Sequence, residues 1–554
     1  MPFKRRLGDY DVKGKHMSRK SNGMASFVFV CAIVLFSVFI VFYCQSAGLG
    51  NPYAVNDDAR QYLFPFFSWS DPSLFQADLI ANYASSVTPL GVKAVYWGFL
   101  PWLDVVSISK VLPFLLCPLT AVFLFLTGRR IWSATAGTFT AVCLVLYAWH
   151  ITCFSGGFPR AFGFPLCALF MYLCASRRWF YAGVVCLSQA FFYPPLALVC
   201  GSVVIIWRVA EEKECVNWVK VWMVLVVMML GLVAVVLTSR VYGSPWFGKM
   251  YTWTEMRHMP EFFLDGRTPI FVDNWHRLTT DLTIQERVWG IDAASPLSGL
   301  MAVLSVIGVY LFYRGVLKMP AFIMAGFMAA VAWYFLAWFL LLDLFLPGRI
   351  LKFVLPVMLA LVSGAVWSWM AQQFNRLGAV FFHLATAYLL FSFSWPLLLP
   401  QVYDYSENKD LYAFLSTLPK DAVIAGHPRE MDGVPLFSKR RAYVIEELSL
   451  PFNRSYYKEI QRRTVAVFLI YYATNKVQLK EACAREHIRF IVIRSADFEK
   501  AYLNRGVFYL EPYNAIIKNL IAREHGQGFV LESVRDKAVV FKSKDVRVID
   551  VSMM

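Results

Sequence analysis

Charge is scarce in this chain. Asp, Glu, Lys and Arg make up 16% of its 554 residues against 58% hydrophobic ones, and the mean hydropathy is +0.52. A soluble globular chain carries about a quarter charged residues, so an aqueous fold for the whole length is excluded and the bilayer is the implied solvent. No internal repeat is present, so length counts spans plus one further domain. The eleven cysteines show neither zinc-ligand spacing nor a disulfide framework, and most fall inside apolar blocks where a thiol acts as a small hydrophobe. Cys44 and Cys153 both fall near the outer face; two free thiols are expected there rather than a bridge.

Acidic residues are outnumbered, 37 against 53 basic ones, for a net charge of +16. Much of the excess sits in short segments between apolar runs, where Lys and Arg set orientation, so membrane lipids and no nucleic acid are the expected partners. The basic N-terminus, residues 1–23, precedes an apolar run from Met24 to Cys44. That run is longer than the roughly 7–15 residues of a signal-peptide core and no small-x-small cleavage site follows, so it reads as a retained span.

Further candidate spans are Val111–Thr127, Ser133–Trp149, Ala161–Cys174, Trp179–Trp207, Val219–Thr238, Leu297–Tyr313, Ala321–Leu342, Ile350–Met370 and Gly378–Leu399. The block 179–207 contains Pro194 and Pro195, which lack amide donors and break a helix, so it is one kinked span or two short ones meeting near Tyr193. Two passes put Arg129 and Arg130, Arg177 and Arg178, Arg208, Lys213 and Lys220, Arg314 and Lys318, and Arg376 on the same face as the basic N-terminus. That face is the cytoplasm by the positive-inside rule.

The expected fold is therefore a multispan α-helical membrane protein of about eleven passes with a C-terminal soluble α/β domain. Residues 24–400 form the membrane part, with outer loops Gln45–Lys110 and Arg240–Pro296, and residues 401–554 the extracytoplasmic domain. Helical patterns at Leu411–Leu418, Tyr456–Thr474 and Val477–Arg485 alternate there with strand-like runs at Ala422–Gly426, Arg489–Ile493, Gly528–Glu532 and Ala538–Phe541. A Gly-rich phosphate loop and a nucleophile elbow are both lacking. Asn453 opens an NRS triplet, which fits a glycosylation acceptor only in a secretory-pathway host.

Chemistry concentrates in the first outer loop, NDDARQYLFPFFSWSDPSLFQAD. Adjacent carboxylates at Asp57 and Asp58, close to Arg60 and upstream of Asp71 and Asp78, can accept a proton from a nucleophile or hold a divalent cation. The plainer account is that they keep the loop hydrated or cap a helix beginning at Ala59.

The surrounding pattern resembles the GT-C superfamily of integral-membrane glycosyltransferases, and uncharacterised bacterial members in particular. The likeness rests on DDARQYLFPF, LFQADLIANYASSVTPLGVKAVY, SGGFPRAFGFPL, LPGRILKFVLP and LPKDAVIAGHPREMDGVPLFSKR, and spreads over most of the chain. It implies transfer of a sugar from a polyprenyl-phosphate-linked donor on the outer face, with Asp58 as base or metal-side ligand and Asp57 in support. A divalent metal, Mg or Mn, at Asp57 and Asp58 is the implied cofactor where there is one. A WWD-type acceptor motif is absent, which counts against peptide N-glycosylation.

Positive groups must meet the departing phosphate. Arg60, Arg160 and Arg349 are the candidates, since a guanidinium offers a bidentate fork and FPR and LPGR place Arg beside backbone-breaking residues at membrane depth. Snorkelling to headgroups is the plainer account of Arg160 and Arg349. Tyr193, Asp78, His427 and Arg429 complete the substrate-side candidates; against them stand an interfacial anchor for Tyr193 and a solvated turn around His427, Arg429 and Asp432. His258 is a lone histidine with no partner at ligand spacing.

Two rival classes remain at this level. A transporter or lipid-linked-oligosaccharide flippase fits the many spans and the broken helix, and a non-catalytic membrane scaffold fits the outer domain. A transporter calls for ionisable residues deep in the membrane, where Asp343 is the one acidic candidate, and for repeated halves; the carboxylates collect in an outer loop instead.

Overall fold

The computed structural model describes residues 15–211, 247–271, 295–340, 346–398, 401–524 and 528–554. The candidate span Val219–Thr238, the basic residues Lys213 and Lys220, and Asp343 lie outside them.

Apolar blocks become helices because a bilayer leaves no other partner for backbone polar groups. Helix α1 is Lys15–Leu49, and after the first loop come α2 (Asp57–Tyr62), α3 (Leu79–Val87) and α4 (Leu90–Phe99). The bundle continues with α5 (Val105–Ile131), α6 (Ala134–Val145), α7 (Ala148–Phe154), α8 (Gly163–Ala175), α9 (Trp179–Phe192) and α10 (Pro194–Glu211). Helices α11 (Pro296–Tyr313), α12 (Ala321–Phe339), α13 (Gly348–Ala371) and α14 (Arg376–Ser394) complete it. Among the described residues six helical segments are long and apolar enough to cross a membrane, on α1, α5 and α11 to α14, and four shorter apolar helices accompany them. The chain is an integral membrane protein.

The block 179–207 is two helices, broken at Tyr193 where the two prolines begin. Helix α5 starts six residues before the expected Val111 and runs through Pro113 and Pro118, because Asp104 caps it by accepting from Val106 N and Ser107 N. Helix α13 is the centre of the bundle, with 89% of its apolar window buried, and it packs against α6, α8, α10, α11 and α12. The basic turns gather at one end: Arg130 Nε donates to Ala175 O, and Trp132 Nε1 to Lys318 O. Cys44 and Cys153 are free and buried.

Residues 401–554 build a five-stranded mixed sheet. Its strands, after a two-residue ladder of β1 (Ala54–Val55) with β2 (Tyr403–Asp404), are β3 (Val423–Gly426), β4 (Arg441–Ala442), β5 (Phe490–Arg494), β6 (Val539–Ser543) and β7 (Val546–Asp550), in the order β4-β3-β5-β7-β6. The β3 pairings are parallel and the last two antiparallel. Helices α15 (Lys409–Thr417), α16 (Arg454–Tyr471), α17 (Lys476–Arg485) and α18 (Tyr513–Ala522) accompany it.

The run Gly528–Glu532 is not a strand. Strand β7 already occupies the β5 edge, and Phe529 instead packs its ring on Tyr472 and Phe498. Asn453 is 3% exposed and its amide donates to Gly248 O, so it is no glycan acceptor in this fold.

Candidate functional site

Helix α2 begins at Asp57, two residues before the expected start at Ala59. Asn56 is the cap: its side chain accepts from Asp58 N at 3.1 Å, and Asp57 and Asp58 occupy the first turn, where the helix dipole favours carboxylates. The cap is itself held, because Asn56 Nδ2 donates to Gln401 O at 3.2 Å beside the β1–β2 ladder.

The two aspartates then diverge. Asp57 receives Arg60 at 2.6 Å and Gln61 Nε2 at 2.6 Å, while the Tyr405 hydroxyl donates to it at 3.1 Å. Asp58 instead faces Arg160, whose guanidinium pairs with its carboxylate. Side-chain exposures of 36% and 23% leave both within reach of a ligand.

Arg160 reaches Asp58 because of the turn before it. Gly156 and Gly157 take φ of +86° and +59°, the left-handed region that L side chains avoid, and a Cβ on Gly156 would stand 2.8 Å from Asn56 Oδ1. The SGGFPR segment thus lies directly on the cap of α2, and Ser155 Oγ shares the Gln401 carbonyl at 2.9 Å.

Arg60 is the hub of a second charged group. Besides Asp57 it lies 3.7 Å from Glu447 and 4.0 Å from Asp432, with its guanidinium 4.7 Å above the Tyr405 ring. Burial alone would lower the pKa of Arg60, but Asp432 and Asp57 more than offset this and carry it above its ordinary value. Burial drives Asp432 the other way, far above the carboxylate range, despite Arg60. Arg267 pairs with Glu447 and donates to the carbonyls of Glu446 and Glu447 at 2.9 and 2.6 Å.

Tyr62 lies between these groups. Its ring stacks on Phe158 at 5.2 Å, and its hydroxyl is pushed up first by burial and then by Asp58, with Glu447 adding and Arg267 and Arg349 opposing. One phenol therefore senses Asp58, Glu447, Arg267 and Arg349 together. Arg349 stands in the first turn of α13, and Lys352, one turn further, is fully buried. Helices α8 and α13 approach closely here: a Cβ on Gly163 would meet the Phe353 ring at 2.6 Å, and Tyr193 sits edge-on to the same ring at 4.7 Å.

The other substrate-side candidates have structural employment. Asp78 is the buried cap of α3 and accepts from Ala81 N at 2.7 Å. His427 is no solvated turn: it is buried among the rings of Phe468, Tyr471 and Tyr509, and burial beside Arg429 holds its pKa down at about 3. Arg429 pairs with Glu446 at 2.7 Å. His258 is exposed.

Sequence reasoning passed over Tyr62, Arg267, Glu447, Tyr405 and Lys352 as site groups, and weighed Asp432 only within the His427–Arg429 cluster, as a group that touches substrate or forms a solvated turn. Lys352 lies in the LPGRILKF motif, and a lysine one helical turn after an arginine in an apolar run was the available signal. Among the described residues no three His, Cys, Asp or Glu side chains converge where a metal could sit, and Asp57 is turned to Arg60, Gln61 and Tyr405. The described residues do not form a divalent-metal set.

No protein-family model and no curated protein sequence matches the chain. Solved structures do. The Archaeoglobus fulgidus oligosaccharyltransferase in its apo form aligns with 86% of this chain and 70% of its own, at a TM-score of 0.51 and 10% identity. The chain shares the fold of this archaeal oligosaccharyltransferase. The same archaeal enzyme, AglB, with an inhibitory peptide and a dolichol-phosphate aligns at 0.50 and 9% identity, over 86% of this chain and 70% of its own. ArnT from Cupriavidus metallidurans in the apo state covers 96% of this chain and 98% of its own at 13% identity and a TM-score of 0.47. Asp57 and Asp58 lie in the loop segment that follows α1.

Proposed function

We propose that the chain is a membrane glycosyltransferase moving a sugar from a polyprenyl-phosphate-linked donor to an acceptor on the outer face of the membrane. A bacterial inner membrane fits, with the N-terminus cytoplasmic and residues 401–554 outside. The observation that carries this reading is the Asp58–Arg160 ion pair, set beside Tyr62 within the influence of Arg349. Dolichol-phosphate in the AglB complex is a polyisoprenoid phosphate of the proposed donor class.

The chemistry follows from the pair. When the donor phosphate enters, it competes for the Arg160 guanidinium and releases the Asp58 carboxylate. Asp58 takes the proton of the acceptor hydroxyl; the oxygen attacks the anomeric carbon, and the bond from that carbon to the phosphate oxygen breaks, its electron pair leaving with the carrier phosphate. Arg160 and Arg349 receive the developing negative charge, which removes the cost of separating it in a low-dielectric site. Asp57 is committed to Arg60, Gln61 and Tyr405 and acts in support.

Membranes holding the full chain, given polyprenyl-phosphate sugars of several kinds with cell-envelope acceptors, test the reading. Release of free carrier phosphate is expected with the wild type and not with Asp58→Asn. Equal release by both would overturn the assignment.

A further inference from the structure

A cleft of about 630 Å³ opens where the first loop meets the chain after the last span. None of Asp57, Asp58, Arg160 and Arg349 lines it. Its walls include Phe67, Asp71, Trp102, Asp104, Lys439 and Arg440.

Position argues for a bilayer-surface site. Asp104 is the cap of α5, an apolar helix long enough to span, so the cleft stands at one end of that helix. Trp102 is 76% exposed there, and Trp97 and Leu90 on α4 are 70% and 52% exposed. Large apolar rings left bare at the end of a span sit at headgroup depth.

Charge argues for an anion. Of its carboxylates Asp71 is neutralised by Lys420 at 2.5 Å, while Asp104 keeps its charge and caps α5 through Val106 N and Ser107 N. Beyond the Asp71–Lys420 pair the cleft keeps two cations, Lys439 and Arg440, against the one carboxylate of Asp104. Among the described residues Lys439 has no carboxylate partner, and its ammonium rests 4.7 Å above the Phe67 ring. Arg440 spends its guanidinium on the carbonyls of Ser416, Leu418, Ser438 and Lys439, which fixes it in place without removing its charge. Lys439 takes φ of +55° as the left-handed C-cap of the short helix Val434–Ser438, which fixes where its side chain departs.

We propose that this cleft seats the phosphate of an anionic bilayer phospholipid, with Lys439 and Arg440 as its positive wall and Trp102 against the lipid at the mouth. The site is separate from the proposed transfer reaction and stands or falls independently of it.

Full-length protein exchanged into nanodiscs of phosphatidylcholine with phosphatidylglycerol, then stripped with detergent and weighed by native mass spectrometry, provides the test. The wild type retains phosphatidylglycerol in preference to phosphatidylcholine. Lys439→Gly suits the positive φ and removes the ammonium, so it melts no lower than the wild type yet retains about fivefold less, the effect of one lysine beside an anionic surface. Trp102→Ala lowers retention of both lipids. Equal retention by wild type and Lys439→Gly overturns the proposal, as does displacement of the lipid by inorganic phosphate but not by chloride, which makes it a soluble-anion site. Should the glycine variant not fold, Lys439→Asn, which also tolerates the left-handed region, is read the same way.

Discussion

The Asp58 carboxylate is held by the Arg160 guanidinium, while its chain neighbour Asp57 is held by Arg60. Adjacent acids thus receive different partners, and their substitution has different consequences.

Asp58→Asn removes the proposed proton acceptor and leaves the helix cap at Asn56 intact. Transfer should fall by roughly 10²-fold or more, with a small fall in melting temperature from the lost Arg160 pair. Asp57→Asn should instead strip charge from three donors and cost about 1–3 kcal/mol of stability, so its melting curve moves. Thermal unfolding of both variants in one detergent separates the roles; a destabilised Asp58→Asn beside an untouched Asp57→Asn would reverse them.

Arg60 keeps three carboxylates company, so Arg60→Met leaves Asp57, Glu447 and Asp432 facing one another without it. We expect a loss of about 3–5 kcal/mol, with part of it recovered when Glu447→Gln is added. Additive losses in that double-mutant cycle would show that the two side chains do not act as a unit.

Gly156→Ala places a methyl group at a left-handed position and against Asn56. The expected cost is about 1–3 kcal/mol, together with weaker transfer, since the turn carries Arg160 toward Asp58. Unaltered melting and turnover would mean that the SGG turn has room to spare.

His427 links stability to pH. Its folded pKa, about 3, lies below the ordinary 6.5, so the unfolded chain binds the extra proton. The stabilisation is complete above pH 6.5 and drains away as pH falls from there toward 3, amounting to about 2 kcal/mol by pH 5. His427→Phe, placed among rings that already accept an aromatic, should flatten this part of the melting-versus-pH curve. A slope unchanged by the substitution would exonerate His427.

Hydropathy made the spans legible because membrane helices must be continuous in apolar residues, and Pro194 with Pro195 made the break at Tyr193 legible because proline cannot donate. The acidic pair, Arg160 and Arg349 were visible for a related reason: charge and backbone breakers are expensive beside a bilayer, so each stands out. What was hidden came from afar. Arg267, Tyr405, Asp432 and Glu447 reach Arg60 and its neighbours from segments remote in the chain, and nothing local in GHPREMDGVPLFSKRR shows that Asp432 turns inward while His427 enters an aromatic core. The run Gly528–Glu532 misled because buried apolar residues look alike whether they pair in a ladder or pack beneath one. The capping rule considered for Asp57 and Asp58 applied equally to Asp78, which caps α3.

The ladder of β1 with β2 is only two residues long, yet it fastens the exit of the first span to the exit of the last, and Gln401 clamps both Asn56 and Ser155 to the same knot. Cutting the chain before Gln401 would therefore do more than remove an appendage. It would unstitch the acidic loop itself, so the part embedded in lipid and the part beyond it are inherited, expressed and inactivated as one.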